Sequence, residues 1–345
     1  MQKPVAVKCD PITMEVVRSR LDAIANEMES TLLKSAFSTV VKEAADASAA
    51  IFDRQGNAIA QAIAIPSHLG MLGIAVRRMI MRHPVEKMLP GDVYIHNDPY
   101  DAGTHLPDIT ILAPVFFEDS IVALSACMAH QQDIGGKTPG STAADSTEIF
   151  AEGLRISAMR LFDNGRPIEQ VFQFLRANTR LPDTLIGDIN AQIACVNIGI
   201  RRLIEMFSEF GTDTCLGAME ELLDHAERLA RAEVLTIPDG DYTFFDYLDG
   251  DGINAHSPVK VQATIRKRGS NIHYDFTGTD PEVPGAVNCV PSPRQAMEYF
   301  MLKAVCKSDL PNNDGVSRLF TSFAPEGTLV NPRMPRAVAT RGVTM

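Results

Sequence analysis

The chain has 345 residues, of which 45% are hydrophobic and 22% charged, and its formal net charge is −11. These proportions are typical of globular proteins, and the acidic balance argues against nucleic acid or an anionic membrane as a partner. No apolar run approaches the roughly 20 residues that span a bilayer, and the N-terminal residues lack the apolar core of a signal peptide.

The N-terminal third predicts helices and β-hairpins. Asp10 followed by Pro11 is a strong helix start, and apolar residues at helical spacing extend this helix to about Ser38. The other elements predicted before residue 97 are strands over 49–52, 58–64 and 93–96, a hairpin end over 65–70, and a helix from 71 to about 82.

Two short β-rich apolar runs, residues 109–117 and 120–128, flank Glu118 and Asp119 and predict an antiparallel hairpin with its turn at these two acids. If Phe117 faces Ser120, Pro107 lies opposite His130. Paired residues in such a ladder have Cβ atoms roughly 5 Å apart. The open end of the hairpin therefore collects four side chains that could bind a metal: His105, Asp108, His130 and Asp133.

After this hairpin, helical periodicity dominates from about residue 168 to 234, with breaks near Leu181 and Phe210. The pattern then changes to strands over 242–247, 259–267 and 271–276, followed by a helix from 294 to about 307. We therefore predict an α+β, mixed multi-layer fold with β-hairpins that bear the metal site. Its predicted regions are an N-terminal α+β region over 1–165, a helical region over 166–236, and a β-rich region over 237–345.

The two motifs at the hairpin end predict a metal site. They are N-D-P-Y-D-A-G-T-H-L-P-D at 97–108 and H-Q-Q-D-I-G-G at 130–136. Imidazole and carboxylate ligands suit zinc, manganese or iron. A single His near a strand end is more often a hydrogen-bonded structural residue than a ligand, so the hypothesis depends on the coincidence of several such groups. Ligands left over would orient the others or act as a general base.

The sequence gives less support for a nucleotide site, a calcium site or a serine hydrolase site. Gly136-Lys137-Thr138 resembles the end of a phosphate-binding loop, but Gln131 stands where that motif requires a Gly. The acidic turn at 249–252 lacks the terminal Glu of a calcium loop, and no G-x-S-x-G serine motif occurs. Among the remaining histidines, His68 and His256 lie in loops and could line a site. His83, His225 and His273 are interpreted as structural or solvated.

These motifs resemble the hydantoinase B/oxoprolinase family, which includes N-methylhydantoinase B subunits, the C-terminal half of 5-oxoprolinase, a caprolactamase subunit and the large subunit of acetone carboxylase. The matching features run along the whole chain. They are DPITMEV at 10–16, Lys42-Glu43 with Asp46 and Ser48, Ile65-Pro66, HLG at 68–70, GDV at 91–93, NDPY at 97–100, GTHLPD at 103–108, DIGG at 133–136, PGS at 139–141, Glu152-Gly153, Gly187-Asp188, Asp275-Phe276, Gly278-Thr279, PEG at 325–327 and Asn331-Pro332.

The resemblance implies a divalent metal (Zn, Mn or Fe) held by His105, Asp108 and His130, with Asp46 as a further ligand. Asp98, Asp133 and His68 are then the candidate catalytic residues beside it. The resemblance also implies that a separate A-type subunit uses ATP to phosphorylate the substrate oxygen, after which the B-type subunit completes the reaction on this small-molecule substrate. A metal ion can activate water for the hydrolysis of such a substrate near neutral pH.

We therefore expect a metal-dependent B subunit of an ATP-dependent cyclic amide hydrolase acting on a hydantoin, 5-oxoproline or a lactam. The six scattered cysteines, without a C-x-x-C pair, favour reduced thiols in a cytoplasmic protein. Two alternatives stay open: a subunit of an ATP-dependent ketone carboxylase, and an inactive remnant that binds partners. The second arises because members of this family usually continue well past the AVATRGVT segment at 337–344, so the chain resembles a C-terminally truncated member. Asp101-Ala102-Gly103 also replaces the commoner pair of glycines before Thr104-His105.

Overall fold

The computed structural model describes residues 9–62, 68, 70–306 and 309–345. Within them it forms an α+β fold of seven α-helices and two sheets, as the sequence predicts. The helices are α1 (Pro11–Ser35), α2 (Thr39–Lys42), α3 (Met71–Arg82), α4 (Glu169–Ala177), α5 (Pro182–Phe210), α6 (Thr212–Leu235) and α7 (Pro291–Val305). None of the helices described combines the length and the apolar character needed to cross a bilayer.

The first sheet has seven strands in the spatial order β2-β1-β5-β4-β3-β6-β7. All of its neighbouring strands are antiparallel. The strands are β1 (Ala47–Phe52), β2 (Ala58–Gln61), β3 (Val93–His96), β4 (Asp108–Phe117), β5 (Ser120–His130), β6 (Met159–Asp163) and β7 (Arg166–Pro167). The long hairpin of β4 and β5 lies in the middle of this sheet. Other elements can therefore pack on both faces of the hairpin.

Alternating residues of β4 enter two different cores. Ile109 and Ile111 belong to the core that α1 and α5 form on one face of the sheet, whereas Leu112 packs on the other face with Met71 and Met79 of α3. Successive strand residues point to opposite faces, and a strand with both faces covered reads as a continuous apolar run. Burial of both faces explains the unbroken apolar sequence of the hairpin. The polar side chains lie at the ends of its strands.

The second sheet has four strands in the order β11-β10-β9-β8. They are β8 (Gly240–Leu248), β9 (Val259–Arg268), β10 (Asn271–Asp275) and β11 (Phe320–Phe323). The first three form an antiparallel meander, and β11 pairs parallel to β10. Helices α6 and α7 cover this sheet through Ala226, Ala230 and Leu302, which pack with Ile272 and Tyr274 of β10.

The predicted hairpin is confirmed, but its register is wrong by one residue. The turn has Glu118 and Asp119 at φ of 48° and 61°, the left-handed conformation that two-residue hairpin turns prefer. A register shift between Val115 and Phe116 then moves every later pair, so that Asp108 lies opposite His130. Pro107, the predicted partner of His130, lies just outside the strand. A bulge inserts one residue into one strand, and the apolar pattern alone does not reveal it.

The first helix ends three residues earlier than predicted, at Ser35. Ser38 instead caps the separate helix α2, because its side chain accepts a hydrogen bond from the Val41 amide. The buried carboxylate of Asp188 accepts the amides of Phe37 and Ser38 at 2.7 and 3.0 Å, which stabilises the break. Strands β6, β7 and β11 were not predicted, and α7 begins at Pro291, before the predicted Arg294. The predicted hairpin end over 65–70, the end of the strand over 58–64 and residue 307 lie mostly outside the described residues.

Candidate metal site

Strand pairing brings the predicted ligands to one end of the central hairpin. Asp108 is the first residue of β4 and His130 the last of β5, and they form a pair in the ladder. His105 lies three residues before β4 and its carbonyl accepts the Asp108 amide at 3.0 Å. Strand β1 pairs with β5, and the Asp46 carbonyl just before β1 accepts the His130 amide at 3.0 Å. Three segments distant in sequence therefore meet at this end.

Three side-chain atoms form a nearly equilateral triangle at the centre. His105 Nε2 lies 3.0 Å from Asp108 Oδ1 and 3.1 Å from His130 Nδ1, and His130 Nδ1 lies 3.1 Å from Asp108 Oδ1. First-row divalent ions bind nitrogen and oxygen at about 2.0–2.2 Å, so two ligand atoms are ~3.0 Å apart at the right angles of octahedral coordination and ~3.4 Å apart at tetrahedral angles. Two His and one carboxylate on one face is also the arrangement that non-haem iron uses. The triangle therefore fits a divalent metal in its donor types and its spacing.

The hydrogen bonds of His105 test this fit. Its Nδ1 lies 3.0 Å from the carbonyl oxygen of Ala339, which can only accept, so Nδ1 carries the proton and donates it. Burial and the nearby Arg341 lower the pKa of His105 to about 4, which keeps the ring neutral at pH 7. Its Nε2 lone pair then points at another acceptor, Asp108 Oδ1. A cation between these atoms would satisfy both, and a neighbouring carbonyl of this kind commonly orients metal-binding imidazoles.

The second oxygen of Asp108 is occupied elsewhere. Asp108 Oδ2 accepts a hydrogen bond from the Thr104 hydroxyl and one from Arg341 Nη2, the latter at 2.8 Å. Although burial of Asp108 opposes its charge, the positive charge of Arg341 and the hydrogen bond from His130 hold the pKa of Asp108 well below the usual value. The carboxylate is therefore ionised, and only Oδ1 is free to bind an ion.

The pKa of His130 is shifted in the opposite direction to that of His105. Its burial disfavours the charged ring, but the hydrogen bond to Asp108 and the charges of Asp108 and Asp46 outweigh that effect and raise the pKa of His130. A proton on His130 Nδ1 can be shared with Asp108 Oδ1 and His105 Nε2. A divalent ion would displace this proton, because metal-binding imidazoles must be deprotonated.

Asp46 and His68 form the other side of the cluster. Asp46 Oδ1 lies 3.3 Å from His68 Nε2, and Asp46 Oδ2 lies 3.7 Å from His130 Nδ1. Asp46, His68 and Asp108 also place one potential ligand atom each within 4.8 Å of one another. Burial of His68 lowers its pKa. The side chain of Asp46 is 29% exposed and that of His130 18%, whereas those of His68, His105 and Asp108 are at most 6% exposed. Solvent and ligands therefore reach the cluster from the Asp46 side.

The structure places Asp98 and Asp133 in other contacts. Asp98 accepts the Tyr100 amide at 3.0 Å and pairs with Arg155 at 3.4 Å. Both oxygens of Asp133 are used by the loop and linker around it, since Oδ1 accepts the Gly135 and Arg180 amides and Oδ2 accepts Gly140 N and Arg180 Nη1. Neither residue belongs to the potential metal-binding groups among the described residues. Their contacts indicate that they shape the loops beside the cluster.

Sequence reasoning missed several contributors from the C-terminal segment. Ala339 accepts from His105 and Arg341 binds Asp108, although about 233 residues separate Arg341 from Asp108. Glu152, which is buried, accepts the amides of Val338 and Ala339 at 2.7 Å each. The Glu152-Gly153 dipeptide is among the motifs that the sequence shares with the family, but the spacing of residues gives no signal that these segments meet.

Comparison with known proteins agrees with the resemblance in sequence. The family model described as hydantoinase B/oxoprolinase matches residues 10–345. A putative B-type subunit of a D-/L-hydantoinase from Pseudomonas sp. (strain NS671) is 33% identical over 97% of this chain and 59% of its own length. The crystal structure of an ATP-dependent caprolactamase from Pseudomonas jessenii matches with a TM-score of 0.89 and 34% identity, covering 98% of this chain and 57% of that one.

A nucleotide-free structure of acetone carboxylase has the same fold, with a TM-score of 0.88 at 19% identity over 96% of this chain and 46% of that one. The chain spans 59% of the length of two curated relatives that it matches and 26–28% of the length of the matching 5-oxoprolinases.

Proposed function

Because the chain belongs to the hydantoinase B/oxoprolinase family, we propose that it is the metal-dependent B-type subunit of an ATP-dependent cyclic amide hydrolase. Its substrate would be a hydantoin, 5-oxoproline or a lactam. A separate A-type subunit would bind ATP and phosphorylate the amide oxygen. The proposal places the protein in the cytoplasm, in a hetero-oligomeric complex.

One observation carries the proposal: the triangle of His105 Nε2, His130 Nδ1 and Asp108 Oδ1, with edges of 3.0–3.1 Å. A divalent ion held there would supply Lewis-acid chemistry, making water a nucleophile near neutral pH and stabilising negative charge that develops on the substrate. Thr104 and Arg341 hold Asp108 so that its Oδ1 faces the cluster. Asp46 completes the proposed ligand set at the exposed side.

His68 is the residue of the cluster best placed to move a proton. Its Nε2 lies 3.3 Å from Asp46 Oδ1, on the side from which a substrate would enter. Burial lowers the pKa of His68, so the neutral ring is available to accept a proton from water. The same nitrogen could then return the proton to the departing amide nitrogen, which must be protonated to leave. Asp46 would orient the ring and stabilise its charged form. We assign no proton transfer to Asp98 or Asp133.

The division of labour between two subunits follows from the chemistry of amides. Resonance makes the amide carbon a poor electrophile, and phosphorylation of its oxygen removes this resonance. Water can then add to the carbon, and the protonated ring nitrogen leaves with the electron pair of the C–N bond. A second water hydrolyses the acyl phosphate that remains and releases inorganic phosphate. One relative of known structure is an ATP-dependent caprolactamase, whereas this sequence lacks a complete phosphate-binding loop at Gly135-Gly136. We therefore infer that ATP is used on the partner chain.

The experiment is a reconstitution of the protein with its A-type subunit. Ring opening of a hydantoin, 5-oxoproline or caprolactam should require ATP, both subunits and a divalent metal, and should stop on treatment with a chelator. The His130→Ala variant should be inactive, while His256→Ala, at an exposed position, should retain activity. Turnover without ATP, or undiminished turnover by metal-free protein, would contradict the proposal.

A ketone carboxylase is the second candidate, because acetone carboxylase shares the fold at a TM-score of 0.88. The same preparation distinguishes the two reactions. A carboxylase would consume acetone or acetophenone only when bicarbonate and ATP are both present, and it would leave cyclic amides intact.

A further inference from the structure

One buried carboxyl group binds two successive amides of the segment 338–341, which lies against the metal cluster and also donates the Thr340 amide to the Ala286 carbonyl at 3.0 Å. Glu152 follows the short 3-10 turn Ile149–Ala151 and is 1% exposed. Its Oε1 accepts the main-chain amides of Val338 and Ala339, each at 2.7 Å. A single oxygen therefore fixes two successive peptide groups of a segment about 186 residues away. The proposed chemistry at the ligands gives Glu152 no role.

The segment that Glu152 binds contacts two of the proposed ligands, His105 and Asp108. Ala339, whose amide Glu152 holds, presents its carbonyl to His105 Nδ1 at 3.0 Å. Two residues later, Arg341 Nη2 binds Asp108 Oδ2 at 2.8 Å. The carbonyl keeps the His105 proton on Nδ1, and the guanidinium keeps Asp108 Oδ2 turned away from the cluster. Both contacts leave the other atom of each side chain, His105 Nε2 and Asp108 Oδ1, facing His130 Nδ1 within the cluster.

The local backbone supports this role. A Cβ at Gly153 would lie 2.8 Å from the carbonyl oxygen of Ile134, at a φ of 141° that side-chain-bearing residues rarely adopt. Only glycine allows this close approach after Glu152. The other carboxyl oxygen, Glu152 Oε2, is buried without a hydrogen-bond partner among the described residues. The two amide bonds to Oε1 are therefore the contacts through which Glu152 acts on the segment 338–341.

We propose that Glu152 is a positioning residue for the metal site. By holding segment 338–341, it fixes the tautomer of His105 and the orientation of Asp108, so that Nε2 and Oδ1 stay available to the metal. The inference rests on the proposed metal-dependent function, which it deepens. It predicts that Glu152 controls metal affinity without touching the metal or the substrate.

Metal affinity of the purified protein provides the first test. We expect Glu152→Ala to weaken Zn²⁺ binding by about 10- to 100-fold, as measured by competition with a chelating dye, because lost orienting contacts have effects of this size. Glu152→Gln keeps an acceptor at Oε1 and should bind within about threefold of the parent protein. Glu221→Ala is the matched control: Glu221 is also buried, but it pairs with Arg228 on α6.

The tautomer of His105 provides a readout that does not depend on metal. Nitrogen chemical shifts of isotopically labelled, metal-free protein should place the His105 proton on Nδ1 in the parent and in Glu152→Gln. They should show a mixture of tautomers in Glu152→Ala. If Glu152→Ala does not fold, Glu152→Asp replaces it: one methylene shorter, it cannot reach both amides, and it should weaken Zn²⁺ binding at least about fivefold.

A folded Glu152→Ala or Glu152→Asp protein that binds Zn²⁺ as tightly as Glu221→Ala and keeps the His105 tautomer would overturn the inference. If the parent protein binds no divalent metal, the proposed function fails, and the tautomer measurement alone still decides whether Glu152 orients His105. If Glu152→Gln loses as much Zn²⁺ affinity as Glu152→Ala, the inference that Glu152 acts through Oε1 is also wrong.

Discussion

Asp108 and His130 face each other as a pair in the central hairpin, and His130 Nδ1 lies 3.1 Å from Asp108 Oδ1. Directly paired strand residues have the closest Cβ atoms in a sheet, so the backbone ladder itself sets this contact. His105 and the C-terminal segment lie around this pair, whose positions the hairpin fixes. This arrangement makes the Asp108–His130 pair the least movable part of the proposed metal site.

Removing either member of that pair should abolish tight metal binding. We expect His130→Ala and Asp108→Asn to lower Zn²⁺ or Mn²⁺ affinity by at least about 100-fold, because the first removes a ligand and the second replaces an anionic ligand with a neutral amide. Metal content by mass spectrometry and equilibrium dialysis measure this, with His256→Ala as the control. Unchanged metal content in both variants would rule out the site and favour a partner-binding remnant.

Asp133 should matter for stability and not for metal affinity. Asp133→Ala removes hydrogen bonds to the amides of Gly135, Gly140 and Arg180 and an ion pair to the Arg180 side chain. We expect a loss of about 2–4 kcal/mol in the free energy of unfolding, measured by urea denaturation. Hydrogen exchange should quicken in the loop 135–140. A selective loss of metal with unchanged stability would instead assign Asp133 to the site.

Glu152 should make the stability of metal-free protein fall as pH rises. Burial raises the pKa of Glu152 to about 8, against 4.5 for an unperturbed Glu, so the folded state keeps a proton that the unfolded chain has released. The free energy of unfolding should therefore decrease by a few kcal/mol between about pH 5 and 8. The measurement is the difference in unfolding free energy between the parent and Glu152→Gln across this range. Because Gln does not titrate, the difference should change with pH in that direction, and a flat difference would contradict the shifted pKa.

Gly199 should tolerate no side chain. It lies on α5 where this helix crosses the central sheet, and a Cβ there would meet Ser125 Oγ at 2.3 Å and Met28 Sδ at 2.6 Å. We expect Gly199→Ala to destabilise the protein by about 1–3 kcal/mol, in spite of the better helix propensity of Ala, because packed cores resist added volume. Thermal unfolding measures the effect, and Asn190→Ala at an exposed position of the same helix should be nearly neutral. A stabilised Gly199→Ala would show that α5 can move away from the sheet.

Local sequence signals predicted many of the elements well. Asp10 caps α1 through the amides of Ile12 and Thr13, as expected of Asp before Pro. The limits of α3 and β3 match the predicted ranges, and helix breaks occur at Leu181 and Gly211. These features depend on caps, turns and periodicity within a few residues. The strands that were missed lack such signals: β7 has two residues, and β11 pairs in parallel with β10 more than 40 residues before it.

By itself, the sequence determined the α+β class, the central hairpin and the meeting of His105, Asp108 and His130 at its end, because apolar pattern and turn chemistry act locally. Only the tertiary structure decided the one-residue register that pairs Asp108 with His130, since the apolar pattern alone does not reveal the register shift between Val115 and Phe116. Of the three candidate catalytic residues named from the sequence, the structure brings His68 to the cluster and places Asp98 and Asp133 in other contacts. The contacts of Glu152, Ala339 and Arg341 join segments more than 180 residues apart. Such contacts form only when the whole fold closes around the hairpin, and no local pattern in the chain encodes them.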